Sequence, residues 1–589
     1  MIVIDVEVYK DYFLLSALQL SSGKVLDFEM YPGKSAPLRG IKNLMDSHTT
    51  ISFNGLSYDL LILCAALDGY TCQQLKRLSD LIITSGKPSW AIARDAHLSH
   101  NWNHIDLMDV APGMASLKVY GGRIGAPRMQ DLPIDPSASI SAEQREQLRR
   151  YCRNDLDVTA RLYRKLEKQI NLRSEMTRQY GMDLRSKSDA QIAETVIKSE
   201  LQKLTGKTYR PPKLNADHTF KYRDPGVIAF QSSELQSVFD RILKTRFALG
   251  KNGSVLMPDW LKAERVEVAG RKYQMGIGGL HSCEKQQTVI ADGEHFLADW
   301  DVASYYPSII LQQRLYPKHL GRDFLTIYES IVNRRLDAKK SGDKVTADTL
   351  KITINGSFGK FGSKYSALYS PDLLIQTTVT GQLALLMLIE RMAQIGVETV
   401  SANTDGVVLH GHKSLEREAE RVAWDWMLDT SYTLERTDYS VLASRDVNNY
   451  LAVKPDGEIK GKGCFADSGL MKNPENQIVY DAVKSFIATG CPIEKTIRQC
   501  DDVCRFLTVR KVTGGAEWNG EHVGKTVRFY YANSVPHDRC IVYSKNGNRV
   551  PKSAGSKPLM DLPDALPDDI DYRVYIEAAE KLLCEVGYA

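Results

Sequence analysis

Asp5 and Glu7 stand two residues apart in an apolar run, Ile2 to Val8, whose alternation reads as a strand projecting both carboxylates from one face. Asp59 follows Asn54-Gly-Leu-Ser-Tyr58 at the start of a helical pattern. Asp155 lies on a helix that begins at Ser141, with Tyr151 one turn earlier on the same side. Taken singly, each acid reads as a solvated or helix-capping group; four on separate elements can converge. Three or four carboxylates around one or two Mg²⁺ ions are what phosphodiester hydrolysis requires, one metal activating water and the other stabilising the leaving oxygen. Tyr151 is placed to orient that water.

A second set lies further along. Phe296-Leu-Ala-Asp-Trp-Asp301-Val-Ala-Ser-Tyr-Tyr306-Pro-Ser-Ile-Ile310 reads as a buried strand, a tight turn and a helix, with Asp301 at the strand's end. Backbone N–H groups in such a turn can cradle a triphosphate while the adjacent carboxylate brings in its metal. Asp299 shares that face and reads as a rim acid in preference to a group behind Asp301. Between Arg314 and Lys364 basic residues outnumber acidic ones 11 to 5, a local +6 against +4 for the whole chain. Two helical patterns fill the segment, Asp323 to Lys340 and Thr346 to Phe361, broken at Ser341-Gly342. Arg335 and Lys339 lie one turn apart on the first; Lys351 and Asn355 lie one turn apart on the second. The segment reads as a polyanion site; on charge alone a solvated helical hairpin is the better account, and spacing to the next motif reverses that preference.

The elements that must position these residues follow from patterning. Ile2 to Val8, Tyr12 to Leu20 and Val25 to Tyr31 read as an antiparallel meander, followed by helical patterns at Ile41 to Met45 and Tyr58 to Leu67. Ser141 and Gln144 have capping-box spacing at the head of the long helix, and this α/β domain is expected to end near residue 185. A further helix, Asp189 to Leu204, leads into Gly206-Lys-Thr-Tyr-Arg-Pro-Pro212 and Asp224-Pro-Gly226, read as a linker. The last helix is expected at Asp568 to Val586, its apolar residues at four-residue steps.

The length of 589 residues suggests about four domains or two elaborated ones. At 43% apolar and 25% charged residues, composition is that of an ordinary globular protein. The longest unbroken apolar runs, Leu60 to Leu67 and Leu383 to Ile389, are shorter than the roughly 18 residues of a spanning helix, so no membrane association is expected. Met1-Ile-Val-Ile-Asp5 lacks the basic flank of a signal peptide, and ten scattered cysteines read as reduced thiols, so a cytoplasmic location is expected, with no zinc site and no repeats.

Asp-x-Glu, Asn-x3-Tyr-Asp and Tyr-x3-Asp, in that order, resemble the three motifs of 3′–5′ proofreading exonucleases of the ribonuclease-H-like fold. Ser116-Leu-Lys118 lies where smaller proofreading polymerases carry a substrate-positioning lysine, though a lone lysine reads equally as a surface residue. Asp301 to Ile310 resembles the Asp-x-x-Ser-Leu-Tyr-Pro-Ser-Ile motif of family B DNA polymerases, and Lys351-Ile-Thr-Ile-Asn355-Gly-Ser-Phe-Gly359 their Lys-x3-Asn-Ser-x-Tyr-Gly motif. Val400-Ser-Ala-Asn403-Thr-Asp405-Gly-Val-Val408 stands where that family has a hairpin bearing Asp-Thr-Asp-Ser. Gly276-Ile-Gly-Gly279 resembles the Tyr-x-Gly-Gly loop without its tyrosine. Asn403 and Gly406 depart from the hairpin pattern, and Asn448-Asn-Tyr450 replaces the usual Lys-x-Tyr, for which Lys460 and Lys462 are candidate substitutes.

The resemblance implies an α/β and α+β multidomain chain, a ribonuclease-H-like exonuclease domain followed by a right-hand polymerase of palm, fingers and thumb. Its expected divisions are 1–185 exonuclease, 186–290 linker and the N-terminal part of the palm, 291–312 palm with the first catalytic motif, 313–364 fingers, 365–464 palm with the second, and 465–589 thumb and C-terminal helix. Asp301, Val302 and Asp405 are the implied metal ligands of the polymerase site, and Asp5, Glu7, Asp59 and Asp155 those of the exonuclease site, with Tyr151 catalytic. Each site would take two Mg²⁺ ions, or Mn²⁺. Lys351 would be catalytic and, with Arg335, Lys339, Asn355, Ser304, Tyr305 and Tyr306, would bind the incoming nucleotide; Tyr306 would exclude a 2′-hydroxyl, its alternative reading being a packed core residue. Implied partners are primer-template DNA, a single-stranded 3′ end and deoxynucleoside triphosphates. Processivity or single-strand-binding proteins are admissible accessories, and a monomer in the cytoplasm of a bacterial host is expected, as for viral or mobile-element enzymes. The short interval between Asp301 and Lys351 favours nucleic-acid primers over a protein primer. The rival reading is a 3′–5′ exonuclease whose polymerase-like half only binds DNA.

Overall fold

The structure is a computed structural model and describes residues 1–215 and 217–588. The chain forms two compact units, one of residues 1–188, 468–478 and 499–575, the other of 189–467, 479–498 and 576–589.

The first unit is built on a five-stranded mixed sheet. β1 (Ile2–Val8) is flanked by β2 (Phe13–Gln19), which carries β3 (Val25–Met30) at the edge; on its other side lie β4 (Thr50–Ser52) and β5 (His104–Asp106). β1 runs antiparallel to β2, Asp5 opposite Ser16 and Glu7 opposite Leu14, and parallel to β4. Because β1 is central, its apolar residues are buried on both faces, and the two acids interrupt an otherwise continuous hydrophobic run. α1 (Asp59–Leu67) is apolar all round and almost wholly buried. α2 (Leu117–Arg123) packs on the 39-residue α3 (Ala142–Tyr180), which covers β1 and β2; α3 starts in the Ser141/Gln144 capping box and ends at Gly181, whose φ of 68° supplies the left-handed turn.

Residues 465–589, expected as a single thumb, are instead divided between the units. The reason is visible in the long hairpin Thr508–Trp518 and Glu521–Tyr531. Arg528, 0% exposed, donates to the carbonyls of Ala126 at 2.6 Å, Pro127 at 3.3 Å, Leu559 at 2.8 Å and Met560 at 3.1 Å. A buried guanidinium is tolerated only when its donors are satisfied, so this contact ties the hairpin to the first unit. The final helix runs Tyr572–Glu585, a few residues shorter than its apolar pattern.

In the second unit α4 (Asp189–Thr205) packs on the helical hairpin described below, and β6 (Thr219–Lys221) lies within the stretch read as a linker. A seven-stranded sheet contains β7 (Val266–Val268), β8 (Arg271–Met275), β9 (Leu280–Ser282) and β10 (His295–Val302). After α5 (Tyr305–Gln312) come α6 (Asp323–Ser341) and α7 (Lys344–Phe361), the two expected helices, separated by Gly342 at φ 75°. α8 (Pro371–Gln394) then leads to β11 (Glu398–Asn403), β12 (Gly406–His412) and β13 (Leu434–Asp438), giving a sheet order of β13-β10-β12-β11-β9-β8-β7. By length and composition α8 is sufficient to cross a membrane, with mean hydropathy 1.5, although threonines and glutamines break its sequence into apolar runs too short to show this. Its most apolar stretch is 94% buried, so it is the central core helix of this unit. All ten cysteines are free thiols.

Candidate functional site

Two carboxylate sites emerge, one in each unit. In the first, Asp5 and Glu7 on β1 meet Asp155 on α3, one ligand oxygen of each lying within 4.8 Å of the others. Asp59, 4% exposed at the head of α1, is close enough to raise the charge burden on Asp5 and Glu7, but one of its oxygens accepts the Val6 N–H at 3.0 Å. Burial first, and the Asp155 charge second, push the Asp5 carboxyl up to about 7. Glu7 and Asp59 are likewise driven well above the ordinary carboxylate range, by burial and then by Asp5. The cluster therefore cannot be fully ionised without a countercharge. A hard divalent cation with oxygen ligands is the group its donor set fits.

Lys118 is not a solvated surface lysine. Its Nζ reaches both oxygens of Asp155, at 2.5 and 2.6 Å, and lies 4.3 Å from the centre of the Tyr151 ring. Tyr151 is buried one turn from Asp155, and burial together with the Asp155 charge holds its phenol strongly protonated. Two neighbours escaped sequence reasoning. Cys152 Sγ donates to Asp5 Oδ2 at 3.2 Å, and buried Asp106 accepts the backbone N–H groups of Asn54 and Leu56 at 2.8 and 3.0 Å, fixing the turn before Asp59. Adjacency to Tyr151 was the one signal for Cys152; Asp106 has no spacing relation to the motifs.

In the second unit β10 and β12 pair so that Asp301 stands opposite Gly406, and the Val302 N–H donates to the Asp405 carbonyl at 2.7 Å. Asp301 and Asp405 thus lie side by side at the ends of neighbouring strands. They line a cavity of about 410 Å³ with Asp299, Asn403, Tyr450, Lys460 and Lys462 among its walls. Val302 itself is 4% exposed, with its N–H committed to that bond. Desolvation, then the charge of Asp299, lift Asp301 to about 6, and desolvation raises Asp405 as well.

Asp299 is not a rim acid. It is 6% exposed, accepts the Tyr439 hydroxyl at 2.7 Å and pairs with Lys460 Nζ at 3.0 Å. Its position one pleat before Asp301 on β10 puts it under the cavity, where a bare carboxylate needs both partners. The two departures in the hairpin also have local explanations. A Cβ on Gly406 would come within 2.2 Å of Asp301 Oδ1, so a larger residue displaces that carboxylate. Asn403 donates its amide to the Val447 carbonyl at 3.1 Å, a bond no carboxylate can make.

Ser304 begins α5 in the left-handed region, φ 49°, and its hydroxyl accepts from Arg335 at 3.1 Å, joining α6 to the turn after Asp301. Tyr305 is buried, its hydroxyl on the Gly381 carbonyl at 2.6 Å. Tyr306 is half-buried, stacked on Phe358 at 4.2 Å with its hydroxyl donating to the Gly278 carbonyl. That carbonyl belongs to the glycine loop, where a Cβ on Gly279 would sit 2.9 Å from the Thr404 backbone, so the loop braces both Tyr306 and the hairpin turn. Lys339, Lys351 and Asn355 are exposed on α6 and α7, with no side-chain partner among the described residues.

No family model matches the chain. A stretch of 203 residues, 28% of this chain, is 27% identical to DNA polymerase 1 of Aeropyrum pernix, and 132 residues, 22% of the chain, are 26% identical to DNA polymerase 1 of Sulfurisphaera ohwakuensis. Both relatives are DNA polymerases. The chain matches 21% and 15% of their respective lengths. Among solved structures, the family B DNA polymerase of the hyperthermophilic archaeon Pyrobaculum calidifontis aligns over 99% of this chain and 77% of its own, with TM-score 0.41 and 13% identity.

Proposed function

We propose that this protein is a DNA-directed DNA polymerase carrying its own 3′–5′ exonuclease. The observation that carries the reading is the pairing of Asp301 with Asp405 at adjacent strand ends beside a lysine-bearing cavity, while a separate carboxylate cluster stands in the other unit. The local similarity to two DNA polymerases supports it. Both sites suit Mg²⁺ or Mn²⁺, two per site in this reading, held by Asp301, Asp405 and Val302 in one and by Asp5, Glu7, Asp59 and Asp155 in the other. Bound there, the metal would lower the pKa of a hydroxyl or water and neutralise phosphate charge.

The chain's own residues do the rest. The cations Lys351, Lys339 and Arg335 attract and hold the triphosphate of a deoxynucleotide, with Asn355 and Ser304 beside them. Tyr305 holds the base of α5 in place, and Tyr306, fixed through Phe358 and Gly278, presents a wall to the sugar. In the other unit Lys118 and Tyr151 orient the scissile phosphate and the attacking water at the 3′ end of a single strand. A ribonuclease-H-like domain and a palm-and-fingers arrangement, DNA primers, a monomeric state, and replication of viral or mobile-element DNA in a bacterial cytoplasm complete the proposal.

A second reading is favoured by Asn403, whose amide replaces an acid at the hairpin: an exonuclease whose other unit only binds DNA. A labelled primer on a longer DNA template with Mg²⁺, with and without deoxynucleotides, separates the two. The polymerase reading expects extension lost in Asp405→Ala and degradation lost in Asp5→Ala, each without the other. Degradation with no extension by the unaltered chain overturns it in favour of the second reading.

A further inference from the structure

The second unit holds another recess, of about 700 Å³, formed between β6 with the residues after it, the segment following α5, and the start of α8. Its walls carry Lys221, Arg223, Arg314 and Lys318, with Asp224 and Asp372 as the acids. Asp372 is paired with Lys318 at 3.3 Å, and Asp224 accepts the Gly226 N–H at 2.8 Å. Lys221, Arg223 and Arg314 are exposed and their side chains have no partner among the described residues, so that, with Lys318 offset by Asp372 and the Asp224 carboxylate counted against these three, the recess keeps an excess of positive charge.

The cations stand on a fixed frame. Buried Gln376 of α8 clamps the backbone of Arg223 from both sides, accepting its N–H at 3.0 Å and donating to its carbonyl at 2.7 Å. The next residue inward, Tyr222, bonds Thr380 of the same helix at 2.9 Å. Arg314 occupies the left-handed position just beyond α5, φ 50°, where glycine is the unstrained choice. An arginine there benefits from the helix's negative end, yet its charge stays free for a ligand. Between the cations lie Phe220 and Tyr316, half-buried ring surfaces in the same wall.

We propose that this recess binds the backbone of single-stranded DNA, its phosphates on Lys221, Arg223 and Arg314 and a base against Phe220 or Tyr316. Cations interleaved with aromatic faces are the chemistry of sequence-tolerant strand binding. The volume suits about two nucleotide units, being within the range of cavities that enclose compact ligands. A duplex, whose major groove alone is about 12 Å wide, does not enter such a recess. α5 has eight residues, about 12 Å at 1.5 Å per residue, so the recess lies roughly one short helix from the turn after Asp301. The choice of DNA rests on the polymerase reading; the strand-binding chemistry does not.

The test measures binding of a fluorescent oligothymidylate to the full-length protein in EDTA across a salt series, with the unaltered chain, the triple variant Lys221→Ala/Arg223→Ala/Arg314→Gly, and Arg314→Gly alone, which relieves the backbone. Loss of three phosphate contacts is expected to lower the slope of log K against log salt by about 2, and loss of one by about 0.7, given roughly 0.7 per contact for single strands. Unchanged slopes in both variants overturn the proposal. If inorganic tripolyphosphate displaces the oligonucleotide at equal phosphate concentration, the recess is a free-polyphosphate site and the strand assignment falls. Primer extension is run beside it: altered slopes without extension uphold the recess and sink the polymerase reading, whereas unchanged slopes with normal extension sink the recess alone.

Discussion

In the first unit three carboxylates crowd within 4.8 Å and a fourth lies close behind, with Lys118 closing on one of them. In the second, two carboxylates stand at adjacent strand ends, and lysines line the same walls. The acid-rich site carries excess negative charge that only a cation or protons can relieve, so a metal bound there would be coupled tightly to ionisation. The lysine-flanked site has less negative charge of its own, which suits a substrate that brings a triphosphate together with its metal. On the function proposed above, the difference teaches that the site with fewer acids is the one whose substrate brings more charge of its own.

The sharpest way to break this comparison is to delete one acid from each site. Asp405→Ala is expected to reduce primer extension by more than the roughly 10²–10³-fold typical of losing one stabilising donor, with 3′ degradation within about twofold of the unaltered chain. Asp5→Ala should do the reverse; equal loss of both activities in either variant would mean the sites are not separate. Next in size, Lys351→Ala is expected to slow extension by about 10²–10³-fold while leaving degradation intact, measured under single-turnover conditions.

Gly406→Ser probes geometry without touching an acid. The new Cβ forces Asp301 to rotate, and a displacement of about 1 Å at a reacting group costs on the order of 10²-fold, so extension should fall by about that factor with folding unaffected. Restoration of a serine that raises activity instead would show that Asp301 is misplaced for catalysis as it stands.

The smallest effect sharpens the charge argument through pH. Asp5 binds its proton more tightly when folded, with a pKa of about 7 against an ordinary 3.8, so between those values the folded chain holds the extra proton. Its contribution to stability is full below pH about 4 and is lost as pH rises through about 7, a change on the order of a few kcal/mol. In EDTA, the melting temperature should therefore drop across that window more for the unaltered chain than for Asp5→Asn. Adding Mg²⁺ or Mn²⁺ should flatten the drop. A fall of equal steepness in Asp5→Asn would remove Asp5 as its cause.

Much of this was legible in the residues. The capping box of α3, the Asp-x-Glu strand, the strand-turn-helix after Asp301 and the paired helices at Gly342 follow from local patterns, since spacing on a strand or helix decides which side chains share a face. What was not legible depends on contacts across long separations. Asp299 and Lys460 are 161 residues apart, and no local pattern announces that one neutralises the other. Lys118 and Asp155 meet only because α2 packs against α3. Arg528 is an ordinary polar residue by composition and becomes a core residue through carbonyls supplied by distant segments.

That buried arginine also bears on how the protein is made. Its guanidinium finds the Ala126 carbonyl 402 residues upstream, and the intervening chain includes nearly all of the second unit. At about 5–20 residues per second, a ribosome takes roughly 20–80 seconds to deliver Arg528 after Ala126 has emerged. During that interval the first 188 residues must persist without the hairpin that completes their packing, while the second unit is synthesised and able to fold. Completion of the first unit thus waits until most of the second has been translated.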